Sequence, residues 1–237
     1  MIQKRSPNFN ERAPGSTIRY VIVHYTGMPT PHEALDRLCD PESQVSAHYV
    51  IAENGVCLPL VDETGRAWHA GKSFWRGQTD LNSLSIGIEL VNKGHAHGYH
   101  PFPEAQINAL IALLGDLYER YKLSPASLLG HSDIAPSRRE DPGELFPWQQ
   151  LAKAGYGLWP EKKDSPAVLL PEAEINALLR TVGYECPDEE PTLIAAARRA
   201  FCRHYHPERL TLGFDAQTCA RLKNLADQTS RTGVAKG

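Results

Sequence analysis

The run IRYVIVH at positions 18–24 limits the possible fold more than any other stretch of the chain. Consecutive β-branched and apolar residues without polar alternation describe a strand covered on both faces, as in the centre of an α/β sheet. LSIGIELVN (84–92) reads as a second core strand, and SLLGH, ending at His131, as a short third. Between the last two, FPEAQINALIALLGDLYERYKL sets Ile107, Leu110, Ile111, Leu114, Leu117, Tyr118 and Tyr121 at spacings of three, four and seven. With Pro103 near its start, this is an amphipathic helix. PHEALDRLC suits a shorter helix with Pro31 in its first position. VSAHYVIAENGVCLPLV reads as two β-rich runs around Asn54-Gly55, a pair suited to a type I′ hairpin turn. Residues 1–16 are polar, contain Pro14 and Gly15, and form an arm. Strands interleaved with helices predict an α/β domain that ends near Pro160.

Beyond EKKDSP (161–166), a polar break suited to a linker, the pattern turns wholly helical. Ile175, Leu178, Leu179 and Val182 make one apolar face, and Leu193, Ala196, Ala197, Ala200 and Phe201 a second. Asp215 suits the N-cap of a third helix carrying Leu222 and Leu225. The expected division is therefore 1–163, a small three-helix bundle over 164–229, and a loose tail over 230–237 that includes RTGVAKG.

Charge narrows the partners. A net charge of −3 over 237 residues leaves no basic footprint for nucleic acid. No apolar run reaches the roughly 18 residues of a membrane span. MIQKRSPNFNERAPG lacks the apolar segment of a secretory signal; a cytoplasmic monomer is the expectation, or a periplasmic or outer-membrane-associated protein if a leader precedes the numbering. Five widely spaced cysteines without a CxxC pair read as buried or half-buried thiols of a reducing compartment, with a disulfide among Cys186, Cys202 and Cys219 as the alternative.

The chemistry-bearing residues are histidines and one carboxylate. His95, His97 and His100 fall in KGHAHGYH, read as a solvated loop, while His204 and His206 in CRHYHP read as surface residues. His48 and His69 sit in a strand and at a strand end, where either can line a cleft or serve the core. His24 and His131 differ, because each terminates an apolar strand, and α/β sheets gather chemistry beyond the carboxyl ends of their strands. Asp141 follows His131 by ten residues on an Asp-Pro-Gly bend. Two imidazoles and a carboxylate leave a fourth position open, the composition of a catalytic zinc site. Spacing alone is weak support, since the histidines lie far apart and no HExxH motif is present. Glu89 interrupts an apolar strand, where a carboxylate is costly unless it meets a partner or a cavity. It reads either as a general base or as a buried ion-pair member.

Four segments carry a resemblance: VIVHYTG, VSAHYVIAENG, AWHAGKSFWRGQTDLNSLSIGIELVN and GHSDIAPSRREDPGELFPW, in that order. Together they resemble the type 2 N-acetylmuramoyl-L-alanine amidases of the AmiD and AmpD branch, which share the fold of peptidoglycan recognition proteins. The resemblance implies a mixed central β-sheet flanked by helices, followed by a small three-helix bundle. It implies one zinc ion held by His24, His131 and Asp141, with Glu89 as the catalytic carboxylate and peptidoglycan or muropeptides as partners. Arg139 stands where the branch usually has Lys, as an oxyanion-stabilising cation with a planar fork in place of a point charge. Trp68 and His69 are expected to border the substrate groove. LLRTVGY, AARRAF and GFDAQTCARL resemble a peptidoglycan-binding helical module. A non-catalytic recognition protein and a phage-type lysin are the rival readings.

Overall fold

The computed structural model describes residues 4–161 and 167–231, so most of the expected linker and tail lie outside the described residues. Along the chain run β1 (Phe9–Glu11), β2 (Tyr20–Tyr25), α1 (Pro31–Cys39), β3 (Tyr49–Ile51), β4 (Cys57–Pro59) and β5 (Gly65–Ala67). These are followed by α2 (Leu81–Leu84), β6 (Ser85–Leu90), α3 (Gly94–His97), α4 (Glu104–Tyr121), β7 (Leu128–Gly130), α5 (His131–Ile134) and α6 (Trp148–Lys153). The last three helices are α7 (Glu172–Val182), α8 (Pro191–Tyr205) and α9 (Ala216–Arg231). The main sheet has the order β4-β3-β6-β2-β7. Its pairings are parallel except for β4, which joins the edge as the antiparallel arm of the expected hairpin. The architecture is the mixed, helix-flanked sheet anticipated above. Within the described residues the arm is ordered, because β1 pairs with β5 in a separate two-stranded ribbon.

The hairpin turn differs in kind from the expectation. Gly55 has φ +85 while Asn54 does not reach positive φ, and Gly55 N–H returns to Ala52 C=O at 2.9 Å. That is a longer loop with glycine alone in the left-handed region, not a two-residue type I′ turn. Asn54 Oδ1 instead accepts from Val56 N–H at 3.1 Å.

Strand alternation sends neighbouring residues to opposite sides of the sheet. Val21, Val23, Ile86, Ile88 and Leu90 pack against Ile107, Leu110, Leu114 and Leu117 of α4, as its apolar stripe requires. Tyr20, Ile22 and Leu129 face the other way and share one core with Leu179, Val182, Tyr184, Phe201, Tyr205, Leu222 and Leu225 of the C-terminal segment. The change of pattern near residue 163 is therefore no break in packing: the bundle is the second cover of the sheet. Asp133, wholly buried in α5, fastens the two parts. It accepts hydrogen bonds from Gly130 N–H at 2.8 Å, Tyr184 Oη at 2.7 Å and His204 Nδ1 at 2.8 Å.

This packing corrects the reading of His204 and His206 as surface residues, since both are buried. His204 is sandwiched between Trp148 and Tyr205, and His206 pairs with Thr218 Oγ1 at 2.8 Å. A polar residue in a short helical segment looks solvated until another element closes over it. All five cysteines are unpaired, with Cys186, Cys202 and Cys219 buried, Cys39 half-buried and Cys57 exposed. Among the described residues no helix is long and apolar enough to cross a membrane.

Candidate active site

His24 and Glu89 are register partners on the adjacent parallel strands β2 and β6. Both continue the Ile22 side of the sheet, beyond the point where the bundle covers it, so both project into a cleft of about 350 Å³ at the strands' carboxyl ends. His131 begins α5 straight after β7, and Asp141 returns to it on the predicted bend. Ser132 N–H bonds Asp141 C=O at 2.9 Å, the Asp141–Pro142 bond is cis, and Gly143 takes φ +88. A Cβ at Gly143 would lie 2.2 Å from Tyr99 Oη, so the bend tolerates only glycine there.

Three ligand-capable atoms meet. His24 Nδ1 lies 2.9 Å from His131 Nδ1, and Asp141 Oδ2 lies 3.0 Å from each. The far sides of the rings settle their tautomers. His131 Nε2 faces the Ala70 carbonyl at 3.2 Å, which can only accept, so Nε2 carries the proton and Nδ1 offers a lone pair. His24 Nε2 faces His69 Nδ1 at 3.1 Å, and His69 Nε2 faces Ser85 Oγ at 3.3 Å. Ser85 Oγ in turn donates to Leu81 C=O at 2.5 Å. That sequence is consistent when His24 Nε2–H donates to His69 and His69 Nε2–H donates to Ser85. Two neutral imidazole lone pairs and a carboxylate oxygen then converge within 3.0 Å with no proton between them, which is repulsive without a cation. The donor set fits a metal of the zinc type.

Electrostatics favour the same state. Burial first, and then the neighbouring His131, lower the His24 pKa to about 4, keeping the ring neutral. Burial and the other histidines hold His69 well below the usual range. Burial alone would raise Asp141; positive charge or N–H donors at His131 and His24 hold it down, and with both Nδ1 lone pairs facing the carboxylate that stabilising charge has to come from a cation. Glu89 goes the opposite way. Burial, reinforced by the charge of Asp141 and partly opposed by Arg139, raises its proton affinity well above the ordinary carboxylate range. Its Oε2 is buried and has no partner among the described residues, so the ion-pair alternative for Glu89 is not what the structure holds.

The remaining sequence candidates distribute unevenly. Arg139 lines the cleft, and its guanidinium has no hydrogen-bond partner among the described residues. Trp68 also lines the cleft, anchored by Nε1–H to Asn10 Oδ1 at 2.7 Å. His69 borders the same space but is buried, with both ring nitrogens engaged beneath His24 rather than presented to a substrate groove. His95, expected in solvent, stands at the cleft rim, stacked on Tyr99 and 2.9 Å from Tyr25 Oη. Arg138 donates to the Ala70 carbonyl and, through Nε, to Lys72 C=O at 2.8 Å. Asn82 was not anticipated at all. The available signal was Gly87, a glycine inside an apolar strand, where another group approaches closely. A Cβ there would sit 2.4 Å from the His69 ring.

A carboxylate with raised proton affinity beside a seat for a Lewis acid, at the open end of a parallel sheet, defines a hydrolase. The matching of relatives fixes which: the chain belongs to the N-acetylmuramoyl-L-alanine amidase family, whose model matches residues 14–144. It is 38% identical over 232 residues to the N-acetylmuramoyl-L-alanine amidase AmiD of Escherichia coli, covering 89% of this chain and 83% of that protein. It is 32% identical to the 1,6-anhydro-N-acetylmuramyl-L-alanine amidase AmpD of Haemophilus influenzae over 62% of this chain and 88% of that one. Among solved structures, E. coli AmiD in complex with anhydro-N-acetylmuramic acid-L-Ala-D-γ-Glu-L-Lys matches with a TM-score of 0.80 at 36% identity, over 93% of this chain and 98% of that one. AmpDh3 of Pseudomonas aeruginosa matches with a TM-score of 0.82 at 30% identity, over 96% and 99%.

Proposed function

We propose that this amidase is zinc-dependent and hydrolyses the amide joining the lactyl group of N-acetylmuramic acid, or its anhydro form, to L-alanine of the stem peptide. The convergence of His24 Nδ1, His131 Nδ1 and Asp141 Oδ2 carries this reading, with Glu89 in register beside them. When bound by those three residues, zinc supplies Lewis acidity toward the scissile carbonyl and toward a water.

The chain's own groups do the rest. Glu89, whose proton affinity burial has raised, takes the proton of the attacking water and passes it to the alanine nitrogen as the C–N bond breaks. The Arg139 guanidinium, free on the cleft wall, supplies positive charge where the carbonyl oxygen becomes negative. Trp68 forms an apolar wall for the glycan or peptide. The substrate and pentapeptide complexes of the AmiD and AmpDh3 structures support muropeptides as the ligand class. A non-catalytic recognition protein has no use for a complete set of ligands plus a proton-accepting carboxylate.

Mass spectrometry of products from intact sacculi and from anhydro-muropeptides, with and without chelator, tests the proposal. Release of free stem peptide, lost on chelation and restored by zinc, is expected. Full activity in metal-free protein overturns the zinc reading.

A further inference from the structure

One dipeptide touches the remote nitrogen of both histidines in the site. The His69 side chain receives His24 Nε2–H through Nδ1 at 3.1 Å, and the backbone carbonyl of the next residue, Ala70, receives His131 Nε2–H at 3.2 Å. The dipeptide is itself clamped. Asn82 Oδ1 accepts both of its amides, His69 N–H at 3.1 Å and Ala70 N–H at 2.7 Å. Asn82 is buried, and its backbone carbonyl is held by Arg12 Nη1 at 3.0 Å. Below, the His69 ring rests on Gly87, where even a methyl group would collide, and its Nε2 ends on Ser85.

We propose that His69-Ala70, held by Asn82, is the positioning element for both histidine ligands, and that it sets their tautomers before any metal arrives. This rests on the metal reading above and assigns to His69 a role distinct from substrate contact. The physical ground is that an imidazole binds metal through one nitrogen only when its other nitrogen carries the proton. A partner that can only accept enforces this for His131. For His24 the partner is another imidazole, which must itself be fixed, and Ser85 fixes it because its own hydroxyl proton is committed to Leu81 C=O. One asparagine oxygen holding two successive amides keeps both acceptors in one rigid unit. Moving it disturbs both ligands together.

Zinc affinity, measured by competition with a chelator in the full chain, tests this, with circular dichroism and thermal melting of the metal-free variants as the fold control. His69→Ala and Asn82→Ala should each weaken zinc binding about 10–100-fold, the range for losing an outer partner of a metal-binding histidine. His69→Asn, whose Oδ1 replaces the Nδ1 acceptor, and Asn82→Asp, which keeps the accepting oxygen, should each recover most of that loss. If His69→Ala does not fold, His69→Asn and the Asn82 pair carry the test. His24→Ala separates the two claims. If it leaves zinc binding intact, the metal reading itself fails. If it abolishes binding while His69→Ala and Asn82→Ala stay within about twofold of wild type, the positioning role is overturned. Loss in His69→Ala without recovery in His69→Asn overturns the hydrogen-bond account in favour of ring packing.

Discussion

Glu89→Gln distinguishes a proton carrier from a structural carboxylate, and the structure makes the two outcomes quantitative. The substitution keeps shape and volume and removes only the capacity to accept a proton. Because Oε2 has no partner among the described residues, no buried ion pair is broken, so the about 3–5 kcal/mol cost of orphaning a buried charge does not apply. A side chain whose proton affinity burial has already raised is replaced by a neutral amide of like shape. The metal-free melting transition should therefore move by no more than the equivalent of about 1 kcal/mol. Turnover should fall by about 10²–10⁴, the range for a positioned acid–base group, which is roughly 2.7–5.4 kcal/mol on the barrier. Zinc content should stay at wild-type level, since the three ligand atoms are untouched. The assays are steady-state kinetics on a soluble muropeptide, metal analysis and calorimetry. Turnover within tenfold of wild type, or stability lost by several kcal/mol with turnover preserved, refutes the reasoning.

Arg139→Ala should lower kcat by about 10²–10³ with little change in KM, as expected for one oxyanion-stabilising group; unchanged kinetics remove it from the mechanism. Arg138→Ala should not be silent, because Arg138 holds the carbonyls of Ala70 and Lys72; weaker zinc binding, by up to about tenfold, is expected in a chelator competition. Burial and then Arg12 lower the His48 pKa to about 4, against 6.5 in the unfolded chain. The unfolded state therefore takes up a proton first as pH falls, and stability present above pH 6.5 is lost between there and about 4, by about 3 kcal/mol. His48→Gln should flatten that part of the acid limb in denaturant titrations at pH 7 and 4.5, and parallel curves for both proteins exclude His48 as its source. Ending the chain at residue 160 uncovers Tyr20, Ile22, Trp75, Leu129 and Ile134. At about 1.5–3 kcal/mol each, that loss is comparable to a whole domain's stability of about 5–15 kcal/mol, so the fragment should fail to give a cooperative melt.

Strands β2 and β6, helix α4 and the hairpin were legible in the sequence because hydrophobic period is a local property, written within ten or twenty residues. So was the suspicion attached to His24, His131 and Glu89, since a polar residue at the end of, or inside, an apolar strand conflicts with its own neighbours. The bundle's three apolar faces were legible too, but not what they cover. A face states that it must be buried and is silent about the surface that buries it, so a shared core with Tyr20 and Leu129 was decided only in three dimensions. The same limit explains His204 and His206, whose environment is made by Asp133, Trp148 and Thr218 from other elements. It also explains Asn82 and the Ala70 carbonyl. A backbone acceptor has no side-chain signature, and an asparagine that clamps two amides looks in sequence like any loop asparagine. Register put His24 beside Glu89, and chain reversal at Pro142 brought Asp141 to both histidines. Residue types fixed what chemistry was available; tertiary structure fixed which lone pairs meet, because that depends on distances between segments that the local pattern of neither one contains.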